Sequence, residues 1–196
     1  MKPIITTRSF AMGIMAIALA AGMTSCKKNK EVATQPKPKG ETLIQEYCTG
    51  PEHFSDKKTF RARAVGESMD RNAAKKKARS NARGELAKSI KATMQIVGDN
   101  YVSSNEFNNR EEITETFNEM TRTIVDEEIV GSTIVCDKLT QREDGTFVSY
   151  VCVELSSSDM VGKYHEALSK DERIKAEYNY EKFKETFEKE MEKLGN

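Results

Sequence analysis

Alanine or an apolar side chain stands at every fourth position through Ala74, Ala78, Ala82, Leu86, Ile90 and Met94, and this spacing constrains the fold more than any other feature. Residues four apart share one side of an α-helix, so the stripe predicts a long helix with one buried face. Asp70 or Asn72 is suited to cap its start. The small alanines predict that the first half lies close to its neighbour. Just before the stripe, residues 59–65 alternate. Phe60, Ala62 and Ala64 fall on one face and Arg61, Arg63 and Val65 on the other, as in a half-buried strand. Gly66 is expected to end it.

Residues 99–109 are polar and either continue or break the long helix. Ile113, Phe117, Met120 and Ile124 stripe a second helix that Gly131 is expected to stop. Residues 132–141 and 146–155 are rich in β-formers and flank Glu143-Asp144-Gly145, a three-residue hairpin loop with glycine where a left-handed residue is needed. That register pairs Arg142 with Thr146 and sets Cys136 opposite Cys152. Residues 156–159 cap a short helix running to about Leu168. Asp171 is expected to start the last helix, with Ile174, Tyr178, Phe183, Phe187 and Met191 on its apolar side. The chain therefore predicts an α+β domain, long helices packed on a small antiparallel sheet in the order β-α-α-β-β-α-α.

The first forty residues predict an address. Basic Lys2 and Arg8 precede an apolar stretch at residues 10–23, then small Thr24 and Ser25 and then Cys26, the layout of a secretory signal. The stretch is shorter than the roughly 20 residues that a spanning helix needs. Met23-Thr24-Ser25-Cys26 resembles the bacterial lipobox, with Met23 where Leu is usual. The resemblance implies that residues 1–25 are removed as a signal peptide and that Cys26 is lipidated, its thiol being the better nucleophile near neutral pH. Two or more acyl chains, palmitate-type, hold a protein on a membrane where one does not. Residues 26–42, rich in Lys and Pro, read as the lipidated cysteine and a flexible tether, and residues 43–196 as a single domain. Surface-exported lipoproteins of the Bacteroidetes type carry acids after the cysteine. Lys27, Lys28 and Lys30 stand there instead, so the expected location is the outer membrane, facing the periplasm.

The run from Phe60 to Ser68, followed by Asn72-Ala73-Ala74 through Ala78, Ala82 and Glu85-Leu86-Ala87, resembles the Helicobacter-type membrane-associated lipoprotein family, which is related to the N-terminal domain of the flagellar assembly protein T. The closing strand Tyr150-Val151-Cys152-Val153-Glu154-Leu155 is similar too. The likeness covers about residues 58–156. It implies an α+β envelope lipoprotein, for some members beside large envelope machines, and no catalytic residues.

Removal of Lys2 and Arg8 from 31 basic and 31 acidic residues leaves 29 against 31. That balance gives no pull toward nucleic acid. His53 and His165 each stand alone, and no glycine-rich phosphate loop, nucleophile elbow or Cys-x-x-Cys appears. The reading is therefore not an enzyme, with no metal and no cofactor. In an oxidising envelope, Cys48, Cys136 and Cys152 should form one disulfide and leave one thiol. Three pairings exist. Cys48 with Cys136 is the pair expected, with Cys136–Cys152 kept as the alternative because the hairpin makes them neighbours.

Charge is the remaining feature. Residues 57–91 hold 12 Lys or Arg against three acids, and residues 106–128 hold eight acids against Arg110 and Arg122. The main expectation is that the two helices pair antiparallel and their charges compensate. The other is that Lys75, Lys76, Arg79 and Arg83 form a face for an anionic ligand, namely lipid headgroup, glycan or acidic protein. The resulting expectation is a non-enzymatic lipid-anchored envelope protein. It meets the membrane through its lipid and an envelope protein through its domain, as a structural or adaptor module. The alternative is a periplasmic binding module that uses the basic helix face.

Overall fold

The computed structural model describes residue 40 and residues 44–194; the expected signal peptide, Cys26 and all but residue 40 of the expected tether lie outside the described residues. The chain runs β1 (Thr59–Ser68), α1 (Arg71–Ser103), α2 (Arg110–Glu128), β2 (Thr133–Gln141), β3 (Phe147–Ser156), α3 (Ser157–Lys170) and α4 (Tyr180–Leu194). It is an α+β fold with helices packed on a three-stranded antiparallel sheet of order β1-β3-β2.

α1 is the axis of the molecule. Asp70 caps it, its carboxylate accepting the Ala73 N–H at 2.7 Å, and Ala74, Ala78, Ala82, Leu86, Ile90 and Met94 are all buried. The helix runs on through the polar stretch because Val97 and Tyr101 extend the stripe and are buried too. Tyr101 sits among Phe107, Phe117, Tyr178 and Phe183 at ring separations of 5.7 to 6.2 Å, and such aromatic groups add to area burial. Gly98 lies against Phe117, where an added Cβ would sit 3.3 Å from the Phe117 side chain. α2 therefore returns along the C-terminal half of α1.

Two expectations are corrected. Gly66 does not end β1, which pairs with β3 through Ser68. It is the point where α1 touches the strand: an added Cβ would lie 2.3 Å from the Ala78 backbone nitrogen and 2.5 Å from the Ala74 carbonyl oxygen.

The last helix begins at Tyr180 rather than Asp171. The Asp171 carboxylate accepts the Arg173 N–H and guanidinium at 2.9 to 3.1 Å, which holds a turn. Ile174 still reaches the core at 1% exposure. Asn179 is the working cap. Its side chain accepts the Lys182 N–H at 3.0 Å, and its own N–H donates to the buried Tyr101 hydroxyl at 2.8 Å. Asn179→Ala is expected to cost about 1 kcal/mol and to raise amide exchange in the first turn of α4. Unchanged protection there would rule the cap out.

Candidate interaction site

The two faces of the sheet are covered differently. Val151, Val153 and Leu155 of β3 face the helices and belong to the core. Cys152 and Tyr150, on the other face, are covered by residues 44–58, which cross the back of the sheet. Tyr47 packs edge-on to Tyr150 with ring centroids 5.4 Å apart, and the Cys152 thiol points at the His53 carbonyl oxygen at 3.8 Å. Arg61 ties this strap down through Asp56 at 2.7 Å, and it also meets Glu154 at 2.9 Å. The Lys58 N–H and the Arg61 guanidinium hold the Asp56 carboxyl below its ordinary range. Arg63 lies 5.0 Å from the Phe54 ring centroid.

The strap is stapled by a disulfide from Cys48 to Cys136 on β2, the pair expected from the sequence. Cys152 is opposite Cys136 in the hairpin register and is the free, buried cysteine. Burial pushes its thiol pKa up, against the opposing pull of Arg61 and Arg63, so the thiolate that would attack a disulfide is scarce.

The basic stripe does not meet the acidic helix. Lys91 pairs with Asp126 at 2.6 Å, and α2 ends two residues later, at Glu128. Arg79 lies about 18 Å farther along α1 and Lys75 about 24 Å, at 1.5 Å per residue. The expected compensation fails because α2 is 19 residues long and α1 is 33. The Arg79 guanidinium instead meets Asp137 of β2 at 2.9 Å, and Arg83 donates to the Ser132 hydroxyl at 3.2 Å. Among the described residues Asp137 is the sole carboxylate paired with Lys75, Lys76, Arg79 or Arg83. These four side chains line a shallow hollow with Asn72 and Ser80.

The opposite flank of α1 does a different job. Lys77 donates to the Glu67 carbonyl at 3.1 Å and Asn81 to that of Val65 at 3.1 Å. The Ser55 hydroxyl accepts the Arg61 N–H and donates to the Arg61 carbonyl, while the Asp56 backbone exchanges both its hydrogen bonds with that of Thr59. β1 is thus an edge strand whose outward groups are capped at Thr59, at Arg61 and at the carbonyls of Val65 and Glu67 and, among the described residues, are left open at Arg63.

β2 is the other edge. The Arg142 N–H donates to Thr146 across the hairpin, and strand pairing alternates from there. Thr140, Lys138 and Cys136 therefore turn their backbone groups toward β3, while Gln141, Leu139 and Asp137 turn theirs outward. Among the described residues no hydrogen bond caps the outward groups of Asp137 and Leu139. A register shift between Ile134 and Cys136 limits the open edge on one side, and Val135 there is 40% exposed.

Sequence reasoning missed Asp137, Leu139 and the capping roles of Ser55, Lys77 and Asn81. Only a β2 recognised as an edge would have signalled the first two. His53 and His165 remain apart: His53 is part of the strap, its Nδ1 3.2 Å from the Glu52 carboxylate, and His165 packs on Tyr180 with ring centroids 4.3 Å apart. Among the described residues no group of three His, Cys, Asp or Glu side chains is placed to hold a metal ion, and no helix is long and apolar enough to cross a membrane. No family model, no curated protein and no solved structure matches this chain.

Proposed function

We propose that this chain is a non-enzymatic, lipid-anchored envelope protein, held at the outer membrane facing the periplasm, and that its domain is an adaptor for another envelope protein. One observation carries the reading: among the described residues β2 leaves the backbone groups of both Asp137 and Leu139 open beside the basic flank of α1, while on β1 those of Thr59 and Arg61 and the carbonyls of Val65 and Glu67 are capped. An exposed edge invites pairing with another chain, and strand addition is a common mode of protein recognition. The likeness of residues 58–156 to envelope lipoproteins points the same way, as do the lipobox at Cys26 and the tether behind it.

Two measurements test the proposal. The Cys26→Ser variant is expected in the soluble fraction after detergent-free lysis; retention on membranes with an acylated N-terminus would sink the anchor. A photoreactive residue at exposed Lys138 on β2 should trap a protein partner in intact cells, and one at exposed Glu188 on α4 should not. Adducts from Glu188 alone would move the partner site off the sheet. The second reading, capture of an anionic ligand, is favoured by the basic face of α1, where Asp137 is the one paired carboxylate among the described residues.

A further inference from the structure

We propose that the occupant of the β2 edge is an extended acidic segment of a partner protein, added as a fourth strand with its carboxylates against Lys75, Lys76, Arg79 and Arg83. This rests on the adaptor reading and adds the chemistry of the partner. Asp137 and Leu139 are opposite Val151 and Ser149, which are buried beneath the helices. Their side chains therefore lie on the helix side of the sheet, and the outward backbone groups of the same residues mark where a new strand would pair.

A fourth strand would lie about 4.8 Å beyond β2, with alternate side chains on the helix side. Arg79 already spans from α1 to β2, and its contact with Asp137 shows how that flank receives a carboxylate. Lys75, Lys76 and Arg83 stand on the same flank, and among the described residues none of them is paired with a carboxylate. Acidic residues at every second position of an added strand would match that row. The two halves of the site demand the same ligand. The basic flank asks for negative charge, and the open edge asks for a backbone. A lipid headgroup or glycan supplies only the first.

The probe is an eight-residue peptide of alternating Glu and Thr, titrated by fluorescence anisotropy against the full chain carrying Cys26→Ser. Binding is expected, and the Lys and Thr counterpart should bind at least about tenfold more weakly. N-methylation of one alternate set of peptide N–H groups should weaken binding roughly a hundredfold, because each lost edge hydrogen bond leaves a carbonyl unpaired. Methylation of the other set, which faces away, should change it less than about threefold. Arg79→Glu with Arg83→Glu should lower affinity about tenfold or more.

These methylated peptides leave the protein unaltered, so they decide the geometry even if the charge-reversed variant fails to fold. Equal loss from both methylated sets, or none from either, overturns the strand. So does salt-sensitive binding to phosphatidylglycerol vesicles without peptide binding, which would assign the face to lipid. If Lys138 still traps a partner in cells but the Lys and Thr peptide binds as tightly as the acidic one, the adaptor stands and the acidic partner falls.

Discussion

Replacing Cys48 and Cys136 together with alanine is expected to lower the melting temperature by about 15 °C under non-reducing conditions. The staple joins residues 88 apart in sequence, and closing a loop of that length restricts the unfolded chain by about 4.5 kcal/mol in the chain-entropy treatment. In a domain of this size each kcal/mol shifts the midpoint by roughly 2–4 °C. The double variant is the right one. Removing Cys48 alone would leave Cys136 reduced and directly opposite Cys152 in the hairpin register, where a substitute bond would mask the loss. Differential scanning calorimetry of the oxidised protein, the double variant and the protein with reductant should place the last two together. A double variant that melts within about 3 °C of the original would mean that the staple contributes little to global stability.

The same bond has a mechanical consequence. Cys48 adopts a left-handed backbone at φ 60°, which an L-residue enters at a cost of roughly 1–2 kcal/mol, so the strap here is held by its side-chain bond. A tether running from a lipidated Cys26 would join the domain through this strap. Load on the anchor would then pass at Cys48 through the disulfide into β2 instead of peeling residues 49–58 from the back of the sheet. Exposure of Cys152, beneath the strap at His53, reports such peeling. In the double variant, alkylation of Cys152 is expected to become faster than in the oxidised protein.

Local chemistry was legible wherever one residue type has one physical use. Gly145 has φ 87°, the value that its hairpin position requires, and that turn set the register of β2 on β3 and placed Cys136 opposite Cys152. The α1 stripe was legible because an apolar period of four residues has one ordinary cause, a helix buried along a single face. The start of α4 was not. Asp171 and Asn179 are both good caps, and which one works depends on Tyr101, some eighty positions away, waiting for the Asn179 N–H. The fate of the basic stripe was hidden for a different reason: charge totals over two helices say nothing about where the shorter one stops. The open edge was hidden as well, because β2 becomes an edge only through the strand order β1-β3-β2. The site thus depends on non-local topology, while its charges were visible from the start.

Gly66→Ala is expected to destabilise the domain by about 3 kcal/mol, at the upper end for overpacking. The backbone of Gly66 is ordinary strand, so conformational freedom is not what requires glycine there; proximity is. The added methyl would meet the Ala78 nitrogen at 2.3 Å, the Ala74 oxygen at 2.5 Å and the Lys77 Cβ at 2.9 Å. Two of the three are backbone atoms of a helix and cannot rotate away, so α1 must lift. The alanines at 74 and 78 exist on this reading to let the helix lie that low. Lifting it would also draw Arg79 from Asp137, so affinity for the acidic peptide should fall along with stability. Gly84 provides the control within the same helix. An added Cβ there meets nothing within 4 Å, and alanine in an exposed helix interior is favoured over glycine by about 0.5–1 kcal/mol. Urea denaturation of the two variants should therefore move the midpoint in opposite directions with unchanged slopes. If Gly66→Ala were as stable as the original protein, α1 would not rest on β1 at this point, and the flank that presents the basic stripe to β2 would be set by something else.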